Sequence, residues 1–255
     1  KGARMLQVHY DQEVLSLAAA RLFADEARRA VEKKGRFDVL LSGGETPRRC
    51  YELLGQEPLR SEVPWHAVHL FWGDERWVPH NDPRSNFGMA QRAFIERVHL
   101  PMRQVHPIPF ATTPQESALR YQATLREHFG TGEPRFDLAL LGLGDDGHTA
   151  SLFPGSPVLE ESEQLVCAVA PASQPLQRVT VTPLLLNRSA LVAFLVSGSG
   201  KAAILRRVLE GERDPRQLPA QAVHPSGRLV WLVDRDAARL LSDNSLADPA
   251  VSEGR

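Results

Sequence analysis

Across residues 12–33 the apolar side chains Val14, Leu15, Ala18, Leu22, Ala27, Ala30 and Val31 return at steps of three and four. That spacing lines one face of an α-helix, and Gly35 provides its stop. The pattern then changes to a short apolar run, Phe37-Asp38-Val39-Leu40-Leu41, ending in Ser42-Gly43-Gly44. Behind it, Thr46 reads as an N-cap and Pro47 as the first helical residue. Strand, glycine turn, helix is the order, and apolar runs at 68–72, 136–141 and 191–196 repeat it. Helical spacing is predicted over 85–98, 115–129 and 201–209, and further strands over 165–170, 178–182 and 229–233. Residues 100–114, rich in proline, are expected to be irregular.

Short apolar strands alternating with helices imply βαβ units. The expected fold is α/β: a Rossmann-like, mostly parallel sheet with helices on both faces. No Ser- or Pro-rich linker, internal repeat or low-complexity tract divides the chain, so residues 1–255 are expected to form a single domain. Residues 1–4 are set aside as a trimmed or added start, because the chain opens on Lys rather than Met.

Composition narrows the classes. Thirty basic against 31 acidic side chains leave a formal net charge of -1, which removes any general electrostatic attraction to nucleic acid or an anionic membrane. A local basic cluster for a small anion remains compatible with that balance. Cys50 and Cys167 are the only cysteines, too few for a disulfide framework and without CxxC spacing, which fits a reducing compartment. The apolar run at 190–196 falls far short of the roughly 20 residues of a membrane span. With no signal-like apolar start either, the expected location is cytoplasmic.

In open α/β sheets ligands gather beyond the carboxyl ends of the strands, so the residues just after each apolar run carry the chemistry. Ser42-Gly43-Gly44-Glu45-Thr46-Pro47 lets backbone approach an anion and points free N–H groups at it. It also reads as an ordinary strand-to-helix turn, and Glu45 must turn outward or repel the ligand. Gly142-Leu143-Gly144-Asp145-Asp146-Gly147 matches GxGxxG in form, but Asp145 and Asp146 would meet a pyrophosphate. The better reading centres on His148, an imidazole beside carboxylates on a turn, able to accept a proton near neutral pH.

After the second run, Asp74 lies where a carboxylate faces the same cleft, while Arg76, Arg84 and Asn86 offer donors to sugar hydroxyls or a carboxylate. The acids and arginines there also suit plain loop salt bridges. Arg178 opens a strand, and Lys201 sits at the first turn of a helix. Gly200-Lys201-Ala202 lacks the P-loop's leading glycine (Leu195) and its Ser or Thr (Ala202), leaving Lys201 as a single-charge contact for a phosphate. GxSxG and HExxH are absent, and His66 and His69 stand at an odd spacing that points them to opposite faces, so no metal site is expected.

Taken together these segments resemble the 6-phosphogluconolactonases, in the superfamily of glucosamine-6-phosphate deaminase and ribose-5-phosphate isomerase. The resemblance rests on Leu41-Ser42-Gly43-Gly44 with Thr46-Pro47; on Trp72-Gly73-Asp74-Glu75-Arg76 with Ser85-Asn86; on Gly142-Leu143-Gly144 with Asp146-Gly147-His148-Thr149-Ala150-Ser151-Leu152-Phe153-Pro154; and on Arg178-Val179-Thr180 with Ser197-Gly198 and Lys201. It implies hydrolysis of 6-phospho-D-glucono-1,5-lactone to 6-phospho-D-gluconate, a step of the oxidative pentose phosphate pathway, without a cofactor, by a monomer or small homo-oligomer. Ser42, Gly43, Gly44, Thr46, Arg178 and Lys201 would hold the phosphate. His148 would be the general base, oriented or balanced by Asp146 or Asp74, with Arg76, Arg84 and Asn86 as further substrate contacts.

Two rivals have distinct signatures. The deaminase branch resembles GHIAFNEP, with a glutamate five residues after the histidine, where this chain has Phe153. A non-catalytic phosphosugar sensor is expected to carry an effector module, and none fits before Gln12 or after Leu241.

Overall fold

Every side chain of Phe37–Leu41, Leu138–Leu141 and Leu191–Val196 is buried. Such strands alternate nothing between core and solvent, so they must be covered on both faces. The computed structural model describes residues 4–172, 174–246 and 251–253. Its strands are β1 (Arg4–His9), β2 (Phe37–Leu41), β3 (Val68–Trp72), β4 (Asp74–Arg76), β5 (Val105–His106), β6 (Leu138–Leu141), β7 (Val166–Val169), β8 (Arg178–Val181), β9 (Leu191–Val196), β10 (Arg228–Asp234) and β11 (Val251–Glu253). The helices used below are α1 (Gln12–Lys34), α2 (Glu45–Leu54), α3 (Leu59–Glu62), α4 (Asn86–Ala93), α5 (Pro114–Phe129), α6 (Pro183–Leu186) and α7 (Ala202–Glu210).

The main sheet runs β11-β1-β10-β9-β6-β2-β3-β5, with all neighbours parallel. This is the expected Rossmann-like sheet. Its consequence for function is positional: β9, β6, β2 and β3 are consecutive, so the turns leaving their carboxyl ends share one rim. Two tyrosines finish that rim. The Tyr51 hydroxyl accepts from Ser42 N at 3.0 Å and donates to Ser42 O at 2.9 Å. The Tyr121 hydroxyl does the same for Trp72, at 2.8 and 3.0 Å. Both rings are fully buried, and each satisfies a backbone pair at the place where the parallel ladder ends.

Several expectations need correction. The predicted strands at 165–170 and 178–182 exist as β7 and β8, but with β4 they form a separate antiparallel sheet, β4-β8-β7. β4 itself reads as an acidic and basic loop because only three residues pair. The strand β1, partly in the segment set aside, pairs along its whole length with β10. α2 begins at Glu45 with Gly44 as N-cap, so Thr46 lies inside the first turn and caps nothing. The helix predicted over 85–98 stops at Ala93, and a separate 3-10 turn follows at Ile95–Arg97. The irregular segment at 100–114 contains β5, which extends the sheet beside β3.

Candidate active site

A cleft of about 540 Å³ opens at the rim where β2, β3, β6 and β9 end. It gathers Ser42, Gly43, Gly44, Thr46, Asp74, Arg76, Asn86, His148, Arg178 and Lys201 from turns distant in sequence. Asp146 stands behind His148 and Arg84 lies outside. Gln12 and Gln174 also line it; neither sits in a motif, and Gln12 follows β1, a strand the apolar pattern does not predict.

The base pair is built by a two-residue turn. Asp146 Oδ1 accepts the His148 backbone N–H at 3.0 Å and lies 2.5 Å from His148 Nδ1. With Nδ1 taken, Nε2 is the nitrogen left for the cleft. Burial alone would raise the Asp146 carboxyl, but the hydrogen bonds from His148 outweigh it and hold the group below its ordinary value. The imidazole side chain is 24% exposed and leans on Phe153, ring centroids 4.7 Å apart. Gly144 is required for this placement, since a Cβ there would lie 2.0 Å from His148 Nδ1.

Asp74 does not touch the histidine by any hydrogen bond in the structure. Its Oδ2 accepts from Ser151 Oγ at 2.6 Å, and Asn86 Nδ2 donates to its backbone oxygen at 3.0 Å. Of the two acids considered as partners of His148, Asp146 therefore holds the ring and Asp74 forms the buried wall. Asn86 comes so close to the glycine turn that a Cβ at Gly43 would meet its Oδ1 at 2.0 Å. Asn86 is thus hydrogen-bonded to β4 and packed against the turn after β2.

Cations occupy the other side. Arg76 and Arg178 face each other across the β4–β8 pair, an arrangement that costs stability unless an anion joins them. The Nε of each is buried without a hydrogen-bond partner among the described residues, as is Ser42 Oγ. Burial, and next the Arg76 charge, pull the Arg178 guanidinium below its ordinary pKa, so this group lacks a full counter-charge. Lys201 Nζ is held at 2.5 Å by Asp145, whose side chain is 85% exposed. An exposed carboxylate is readily exchanged for a stronger anion.

Arg84 is the site residue the structure does not bring in. Its guanidinium grips Asp82 through two bonds of 2.9 and 2.8 Å, while its carbonyl accepts from Arg76 Nη1 at 2.6 Å. It steers Arg76 from outside the cleft. Glu45 lines the rim of the cleft, 76% exposed, and its carboxylate is paired with Arg48 at 2.5 Å. Glu75, absent from the sequence-level candidates, is the buried acid that orders this wall: it accepts from Ser85 Oγ, Asn86 N and Phe87 N at 2.7–2.9 Å. Burial raises its pKa despite those bonds.

The sequence profile described as glucosamine-6-phosphate isomerases/6-phosphogluconolactonase matches residues 10–231. The chain belongs to that family. Within the glucosamine-6-phosphate isomerase/6-phosphogluconolactonase family it is 39% identical over 243 residues to the 6-phosphogluconolactonase of a Synechocystis species, covering 94% of this chain and 99% of that one. A solved 6-phosphogluconolactonase from Trypanosoma brucei superposes with a TM-score of 0.81 at 26% identity, over 95% of this chain and 100% of the other. A monomeric glucosamine-6-phosphate deaminase has a TM-score of 0.76 at 24% identity, over 92% of this chain and 100% of that one. That last likeness shows a shared fold only, so within this family the side chains of the cleft must separate lactone hydrolysis from deamination.

Proposed function

We propose that the chain hydrolyses 6-phospho-D-glucono-1,5-lactone to 6-phospho-D-gluconate. The observation that carries this reading is an imidazole with Nδ1 engaged by a carboxylate, set in one cleft with two unpaired arginine Nε groups. The phosphate is held among Arg178, Lys201, Ser42 Oγ and the backbone N–H groups of Gly43, Gly44 and Thr46 at the start of α2. Phosphate displaces Asp145 from Lys201. Anchoring that end fixes the lactone carbonyl near His148, converting binding into positioning.

His148 Nε2 takes a proton from water as its oxygen bonds to the lactone carbonyl carbon. Asp146 stabilises the imidazolium and keeps the ring in the required tautomer. Arg76 faces the charge that develops on the carbonyl oxygen. As the carbon–ring-oxygen bond breaks, the proton passes from His148 to the departing oxygen, which becomes the sugar hydroxyl, and the carboxylic acid ionises. Asp74, fixed by Ser151 and Asn86, accepts from a substrate hydroxyl. Every step uses water and these side chains, so we infer a reaction independent of metal, in a single-domain protein acting in the cytoplasm. Among the described residues no helix is long and apolar enough to cross a membrane.

Phe153 supports the lactonase over the deaminase reading. Its ring packs on His148 and has no proton to relay. The deciding experiment follows the lactone against its spontaneous opening, in a coupled assay of 6-phosphogluconate. Acceleration supports the proposal. Tight binding of the phosphosugar without acceleration supports a sensor, and ammonia release from glucosamine 6-phosphate supports the deaminase; either outcome overturns it.

A further inference from the structure

At the opposite end of the sheet from the cleft, three histidines from separate elements converge. His69 is the second residue of β3, in register with Asp38 of β2. His106 ends β5 in register with Phe71, and His128 lies in the last turn of α5. One ring nitrogen from each lies within 4.8 Å of the others, and all three residues are half-buried. His69 Nδ1 and His106 Nε2 are 3.2 Å apart, close to the edge of roughly 3.3 Å expected for a tetrahedron with metal–nitrogen bonds of about 2.0–2.1 Å. His128 Nε2 stands 2.7 Å from Asp38 Oδ1.

Packing alone does not account for this. The His106 ring stacks on Phe71, centroids 4.4 Å apart and 14° between planes, and phenyl rings would stack there as well. What phenyl rings would not supply is three imidazole nitrogens turned toward one another beside a carboxylate. We propose that His69, His106 and His128 bind one divalent transition ion of the zinc class, with the Asp38 carboxylate held against His128 to orient its ring.

Neutral imidazoles select borderline ions such as Zn²⁺ and Co²⁺ over Mg²⁺ or Ca²⁺. Asp38 is fully buried, and its Oδ1 meets His128. Lys34 and Arg36 sit on its other oxygen, each at 3.0 Å, and Lys34 is shared with Asp137 at 2.9 Å. Two carboxylates thus offset two cations next to the site, with Arg103 the further charge acting on His69. The ion ties β3, β5 and α5 together away from the reacting groups, so its effect is on stability and not on turnover.

The test uses the full chain without a polyhistidine tag, stripped with chelator and titrated with Co²⁺. One equivalent should bind with the visible bands of a four-coordinate site, yield to Zn²⁺, and raise the melting temperature. H69Q and H106Q should each weaken binding by about tenfold or more, with lactone hydrolysis unchanged. No Co²⁺ or Zn²⁺ uptake at micromolar concentrations, or undiminished binding in both variants, overturns the proposal. Should the variants fail to fold, histidine ring-proton resonances of the unaltered protein decide. Zn²⁺ must move those of His69, His106 and His128, and movement confined to other histidines overturns it.

Discussion

The histidine and the cations of the cleft ask for different kinetic signatures when removed singly. His148→Ala deletes the group that takes the proton, an interaction made only as the transition state forms. It should lower kcat by about 10²–10⁴ while leaving KM nearly unchanged. Lys201→Ala removes a contact to a part of the substrate that does not react; losing one charge-assisted hydrogen bond of about 1.5–3 kcal/mol should raise KM by roughly ten- to a hundredfold with kcat largely kept. Steady-state kinetics on both variants check the division, and equal changes of kcat and KM in both would contradict it. At this scale the sequence was informative wherever a residue follows a buried strand: His148, Asp146, Ser42 and Lys201 stand in or beside the cleft as expected. It was uninformative about direction. Nothing in the spacing of Arg84 says that Asp82 holds its guanidinium while Arg76 faces inward, because such pairing depends on loop geometry that no period records.

The elements most legible in the chain were those with a long or mostly apolar pattern, such as α1, β2, β6 and β9. Those hidden were short or charged. β4 carries Asp74, Glu75 and Arg76, which no β-propensity favours, and it pairs because β8 lies antiparallel to it. Glu75 is what fastens β4 to α4: its carboxylate takes the first free N–H groups of that helix together with the Ser85 hydroxyl. Glu75→Ala leaves those donors buried and unpaired, at an expected cost of roughly 2–4 kcal/mol. Denaturant unfolding should show it, and because Asn86 and Arg76 flank the cap, kcat/KM should fall in the same variant even where it remains folded. A Glu75→Ala protein with unaltered midpoint and activity would mean that the helix start does not rely on this carboxylate.

Across the whole molecule, buried and half-buried imidazoles shape how stability responds to acid. His9, His69 and His106 are all lowered from the ordinary value of 6.5, each chiefly by burial, and His106 reaches about 4. Between those two values the unfolded chain binds protons at these positions that the folded chain refuses, so stability must rise with pH across that interval. The contribution is therefore complete above about pH 6.5 and is lost progressively as the pH falls toward 4. Asp38 acts in a lower window. Its folded value of about 2 lies beneath the ordinary 3.8, so its stabilisation is present above 3.8 and disappears only as the pH drops below that. Replacing His106 by Gln removes one titrating ring while keeping a polar side chain of similar reach. Measured with chelator present, so that no bound ion adds its own proton dependence, the H106Q protein should show a shallower fall in unfolding free energy from pH 6.5 to 4 than the unaltered chain. Below pH 4 the two curves should run parallel, since the carboxylates that titrate there are common to both. An equal slope in the upper interval would mean that His106 is protonated in the folded protein, and the packing of His106 against Phe71 and its two histidine neighbours would then have to accommodate a charge.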